Sequence, residues 1–169
     1  MQRLLMAVIA AGILMTFPAG LRAQQVTSTS IPCQTFFSEF VVGAKSDTLW
    51  SRLNTTQTLA DIMGLEFRAG LKKTVEVGDA AYMRSERDTG KVILSYVKRR
   101  TEMRFVFEPD SGMYFSEDVW NLTPQGATQT RVTFLRRRTL FTAQVTTEIA
   151  DQLKIYNETI ARLKSIAKN

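Results

Sequence analysis

The chain has 169 residues with 22 Lys and Arg against 16 Asp and Glu, a single cysteine and no histidine. Without histidine there is no Ser-His-Asp or Cys-His catalysis and no His-ligated zinc or iron, and with one cysteine there is no intrachain disulfide. The net charge of +6 is mild and spread out, short of the dense basic stripe of a nucleic-acid binder, so nucleic acid is not an expected partner.

The N-terminus reads as a secretory signal. Arg3 precedes an apolar run of 14 residues, 4 to 17, followed by Pro18-Ala19-Gly20 and a cleavage-compatible Leu21-Arg22-Ala23. A membrane-spanning helix wants about 20 apolar residues, so removal of residues 1–23 is expected, with cleavage after Ala19 as the alternative. The expected location is periplasmic or secreted. Loss of Arg3 and Arg22 lowers the surplus to +4 and leaves 146 residues, enough for one domain that buries about two thirds of its unfolded surface. Residues 24–34 read as a flexible lead, in which Cys33 either stays free or pairs between chains. Residues 35–169 read as a single domain, a monomer or weak dimer.

Residues 36–42, β-branched and aromatic, predict the first strand. Ser46-Asp47 offers an N-cap for a short helix carrying Leu49, Trp50 and Leu53. Thr55-Thr56 caps a second helix with Leu59, Ile62 and Met63, ended by Gly64. From 65 to 139, short alternating runs are separated by turn signals at Gly70, Val77-Gly78-Asp79, Asp88-Thr89-Gly90, Pro109-Asp110-Ser111-Gly112 and Pro124-Gln125-Gly126. That spacing predicts an antiparallel meander with strands near 65–69, 72–77, 81–87, 91–99, 103–108, 113–122 and 129–138. Residues 145–168 predict a long amphipathic helix, with Ile149, Leu153, Tyr156, Ile160, Leu163 and Ala167 on one face.

The order of strand, two short helices, meander and long helix is α+β. It resembles the START-like superfamily, also called SRPBCC or helix-grip, in particular its bacterial polyketide-cyclase/dehydrase-like and lipid-transport-like members. The residues that carry the resemblance are 40–53 (FVVGAKSDTLWSRL), 70–79 (GLKKTVEVGD), 119–124 (VWNLTP) with Thr130-Arg131-Val132-Thr133, and the last helix. The chain departs from the pattern at Gln125-Gly126-Ala127-Thr128, where many relatives have a glycine-rich turn. The resemblance implies a curved sheet of about seven strands wrapped around the C-terminal helix, with a cavity between them for a lipid-like or polyketide-like apolar ligand, and no cofactor.

Alternation alone places Met103, Phe105 and Phe107 on one face of a strand, Tyr114, Ser116, Asp118, Trp120 and Leu122 on one face of the next, and Val132, Phe134 and Arg136 on one face of the last. Together with Leu153 and Tyr156 of the helix, the pocket candidates are Phe105, Phe107, Tyr114, Asp118, Trp120, Phe134, Arg136, Leu153 and Tyr156. Each aromatic among them is equally explained as plain core. A register shifted by one residue would turn Asp118 and Arg136 outward. No spacing specifies a catalytic site or a metal site. A non-enzymatic ligand binder is the first expectation, with a cyclase-like or lyase-like enzyme using Asp118 and Tyr156, or an envelope interaction protein without a ligand, as alternatives. Lys98-Arg99-Arg100 with Arg104, and Arg136-Arg137-Arg138, read either as a solvated edge or as a contact with an anionic membrane surface.

Overall fold

The computed structural model describes residues 27–28, 33–86, 88–141 and 149–167. The expected signal segment and the start of the last helix, 145–148, lie outside the described residues.

The strands are β1 (Thr27–Ser28), β2 (Cys33–Val42), β3 (Glu66–Gly70), β4 (Ala80–Arg84), β5 (Thr89–Lys98), β6 (Glu102–Pro109), β7 (Tyr114–Gln125) and β8 (Gln129–Leu140). They form one antiparallel sheet in the order β1-β2-β8-β7-β6-β5-β4-β3, with the two-residue β1 added to seven longer strands. Helices α1 (Ser46–Leu53) and α2 (Thr56–Met63) join β2 to β3, and α3 (Ile149–Ile166) follows the sheet. Strict alternation on β8 turns Thr130, Val132, Phe134, Arg136 and Arg138 to the covered face, the expected register. The sheet bends where β3–β4 and β5–β6 shift register, at Phe67/Ala69 and Leu94/Tyr96. Such bulges add twist and curvature. Ser95 sits in the second, its hydroxyl donating to the Arg104 carbonyl at 3.1 Å.

The concave face closes on α1, α2 and α3, burying Leu49, Leu53, Leu59, Ile62, Met83, Leu94 and Met103 completely. Gly64 ends α2 in the left-handed conformation at φ 72°, the geometry that favours glycine after a helix. Among the described residues, no helix is long and apolar enough to cross a membrane.

Three local expectations are corrected. Residues 72–77 alternate like a strand but form a loop, because their backbone groups are taken elsewhere. The Thr56 amide and Thr74 amide bond across to Lys72 and Asn54 carbonyls, and the Asp79 carboxylate accepts from the Val75 and Glu76 amides at 2.7 and 2.9 Å. Lys45 takes the N-cap position of α1, one residue before the expected Ser46, with no side-chain cap. Cys33 and Gln34, expected in the lead, begin β2 opposite Thr139 and Arg138.

Candidate functional site

Between sheet and helix, where the resemblance implies a cavity, the interior is filled by stacked rings. Trp120 of β7 lies flat on Phe134 of β8, centroids 3.8 Å apart, and Phe134 lies on Tyr156 of α3 at 4.8 Å. Tyr156 in turn meets Phe36 of β2 at 5.5 Å. All four rings are buried, and the Tyr156 hydroxyl donates to the Phe134 carbonyl at 2.9 Å. Burial in this stack raises the Tyr156 phenol pKa well above its usual value, only partly opposed by a hydrogen bond with Ser38.

Next to the ladder sits a buried ion pair. Arg136 Nε and Nη2 donate to the two carboxylate oxygens of Asp118, both at 2.7 Å, from directly opposed positions on β8 and β7. A third donor, Nη1, reaches Thr159 of α3 at 3.5 Å. Burial works against the charged guanidinium, but the charge and hydrogen bonds of Asp118 outweigh it and hold the Arg136 pKa above the ordinary value.

Beyond the pair the sheet and α3 part, leaving a half-enclosed cleft of ≈ 570 Å³. Its walls are the β4–β5 turn, the β6–β7 hairpin, the end of α2 and the first turns of α3. Arg136 lies on its floor, with Phe107, Ser116 and Gln152 around it. Tyr114 and Arg138 line it as a unit: the guanidinium carbon stands 4.0 Å over the phenol ring centroid. Burial raises the Tyr114 pKa, and the Arg138 charge partly opposes this. Met63, Leu65, Met113 and Ile155 add apolar wall. Arg162 is paired to Glu158 at 2.9 Å, and Asp88 accepts from the Ser111 hydroxyl.

Of the nine pocket candidates, Phe107, Tyr114 and Arg136 line this cleft. Phe105, Asp118, Trp120, Phe134 and Tyr156 are brought together beneath it as packed interior. Leu153 is half-buried, packs against the edge of the core and lines a shallow depression on α3 rather than the cleft. Arg138, Gln152 and the α2 end were not among the candidates. Arg138 was findable, two residues from Arg136 and therefore on the same strand face. The triple arginine is split by that alternation: Arg136 and Arg138 point in, while Arg137 points out to Glu117 at 3.4 Å. Among the described residues, no cluster of His, Cys, Asp and Glu is arranged to hold a metal ion.

No protein-family model and no curated protein matches the chain. Solved structures do. EF2215, a conserved protein of unknown function from Enterococcus faecalis, matches with a TM-score of 0.63 at 14% identity, over 85% of this chain and 75% of its own. Mll3558 from Rhizobium loti gives 0.61 at 16% identity, covering 82% and 99%. A truncated norcoclaurine synthase from Thalictrum flavum gives 0.55 at 15%, covering 81% and 96%. At these identities the likeness is one of fold, and the chain has the α+β helix-grip architecture: a curved antiparallel sheet closed by a C-terminal helix.

Proposed function

We propose that the chain is an exported START-like protein that binds and carries a small ligand in the cleft over Arg136, without transforming it. The observation that carries this reading is a half-enclosed cleft of ≈ 570 Å³ in which the Arg138–Tyr114 unit and Phe107 face one space. That volume lies in the range of small-molecule sites, about 300 to 1,000 Å³. The ligand is amphipathic rather than purely apolar. An aromatic or aliphatic body fits against Phe107, Met63, Leu65 and Ile155, and a hydrogen-bonding group fits against Tyr114, Ser116 and Gln152. Polyketide-like molecules suit that description better than simple acyl chains. Carriage is favoured over cyclase-like or lyase-like chemistry because Asp118 and Tyr156 are engaged by internal partners, Arg136 and the Phe134 carbonyl.

The test is mass-spectrometric extraction of what co-purifies with the chain expressed with its own N-terminus in a bacterial host. It is run beside Ser116→Phe, which fills the cleft from β7. A stoichiometric small molecule on the parent and its absence from a folded Ser116→Phe chain is the expected result. An empty parent that also fails to retain added aromatic amphiphiles would overturn the reading.

A further inference from the structure

The end of the molecule opposite the cleft carries a different kind of surface. The loop 71–79 exposes three aliphatic side chains, Leu71 at 49%, Val75 at 56% and Val77 at 62%. Lys72 and Lys73 are exposed within the same loop, and so are Lys98 and Arg99 at the β5–β6 turn. The loop is joined to the middle of β5, the Gly78 amide donating to the Leu94 carbonyl and the Leu94 amide to the Asp79 carbonyl, and β5 runs on from there to Lys98 at the same end of the sheet as the loop. Of the acids nearby, Asp47 pairs with Arg100 at 3.3 Å and Glu102 with Arg104 at 2.7 Å. Asp79 is turned into the loop's own amides, which lowers its pKa. Glu76 is left as the acid on the loop surface.

This loop is a built structure. It is tied to the α1–α2 junction through the Thr56 amide and hydroxyl, which donate to Lys72 and Leu71 carbonyls, and through the Thr74 amide, which donates to Asn54. Aliphatic residues displayed to water on a loop with fixed backbone gain by leaving water, and four cations at the same end of the molecule select an anionic surface. Because the backbone is already ordered, docking carries little entropy cost.

We infer that loop 71–79, flanked by Lys98 and Arg99, is a docking surface for an anionic phospholipid bilayer: Leu71, Val75 and Val77 enter the interface and the four cations meet the phosphates. Docked this way, the chain holds the mouth of its cleft away from the membrane.

Vesicles of phosphatidylcholine with and without phosphatidylglycerol test it, by co-sedimentation of parent and variants that share one N-terminus. The parent partitions to the anionic vesicles, less at higher salt, and not to phosphatidylcholine alone. Lys72→Gln with Lys73→Gln weakens partitioning about 25-fold, from about fivefold per lysine at an anionic surface. Val75→Ser with Val77→Ser weakens it by about tenfold or more at unchanged charge. Glu76→Lys strengthens it. Retained binding in the double serine variant, or no gain from Glu76→Lys, would overturn the inference, and a parent that does not partition to the anionic vesicles would overturn it in favour of a soluble partner.

Discussion

Replacing Asp118 by Asn keeps the shape of the side chain and removes its charge, so it isolates what the buried pair does. Asp118 is 1% exposed and Arg136 is 7% exposed, and both oxygens of the carboxylate accept at 2.7 Å. In Asp118→Asn one acceptor survives, while the guanidinium stays buried with no anion beside it. Breaking such a pair from one side costs about 3 to 5 kcal/mol. The surviving hydrogen bond puts the expected loss near the lower figure, a fall in Tm of roughly 10 °C. Arg136→Met, which strands the carboxylate instead, is expected at the upper figure. The double change Asp118→Leu with Arg136→Met removes both charges and is expected within about 1 kcal/mol of the parent, or above it. With Asp118→Leu added as the matching single variant, urea unfolding followed by tryptophan fluorescence gives all four corners of the cycle, with an expected coupling of about 3 kcal/mol or more. A loss under about 1 kcal/mol for Asp118→Asn, or a double variant as unstable as the singles, would refute the mutual dependence of the two charges.

Tyr156→Phe removes the hydrogen bond to the Phe134 carbonyl and is expected to cost about 1 kcal/mol near neutral pH. Because the folded phenol pKa is raised above its unfolded value near 10, the parent's contribution from this group is intact below about pH 10 and is lost as pH rises beyond it. The variant's stability should therefore fall less steeply above about pH 10; identical slopes in urea midpoints would contradict the assignment. Gly90 faces Glu108 and Pro109 across β5–β6, and a Cβ there runs into the Glu108 carbonyl oxygen and lies 2.7 Å from the Pro109 Cα. Both obstacles are backbone, so Gly90→Ala is expected to cost about 2 to 3 kcal/mol. Gly43→Ala, where a Cβ meets nothing within 4 Å, should be near neutral in the same urea titration.

The element order and the register were legible because each rests on a periodicity the chain states repeatedly. Two-residue alternation runs through β6 and β8 and is blurred on β7, where Val119 is buried between Asp118 and Trp120, so the same-face sets Phe105 with Phe107, Asp118 with Trp120, and Phe134 with Arg136 followed from spacing alone. The loop at 72–77 was illegible for a specific reason. Val75 and Val77 alternate as in a strand, but the competing partners of that backbone are Asn54, Thr56 and Asp79, two of them remote in sequence. The inner stripe of α3 was misjudged at its start, where Ile149 is exposed, and in its polar members, because the buried set includes Gln152 and Thr159, which a search for apolar spacing passes over. Whether the aromatics enclose a cavity or fill it is a matter of side-chain torsions, and only the stacked Trp120, Phe134 and Tyr156 rings settle that the interior is packed.

Three elements change polarity together along one direction. Read towards the cleft, β8 presents Val132, Phe134, Arg136 and Arg138; β7 presents Leu122, Trp120, Asp118, Ser116 and Tyr114; and α3 presents Leu163, Ile160, Tyr156 and Gln152. Each passes from aliphatic to aromatic to polar within a few residues, and the Asp118–Arg136 pair lies at the crossing, with one partner reaching the cleft floor and the other sealed beneath it. Stability does not ask for this arrangement, since a buried ion pair is commonly no better than apolar residues of the same volume. Under the proposed function the polar layer on the three elements serves as the binding floor: a fixed guanidinium whose charge is already balanced from below gives hydrogen-bond direction to a ligand without demanding an anion.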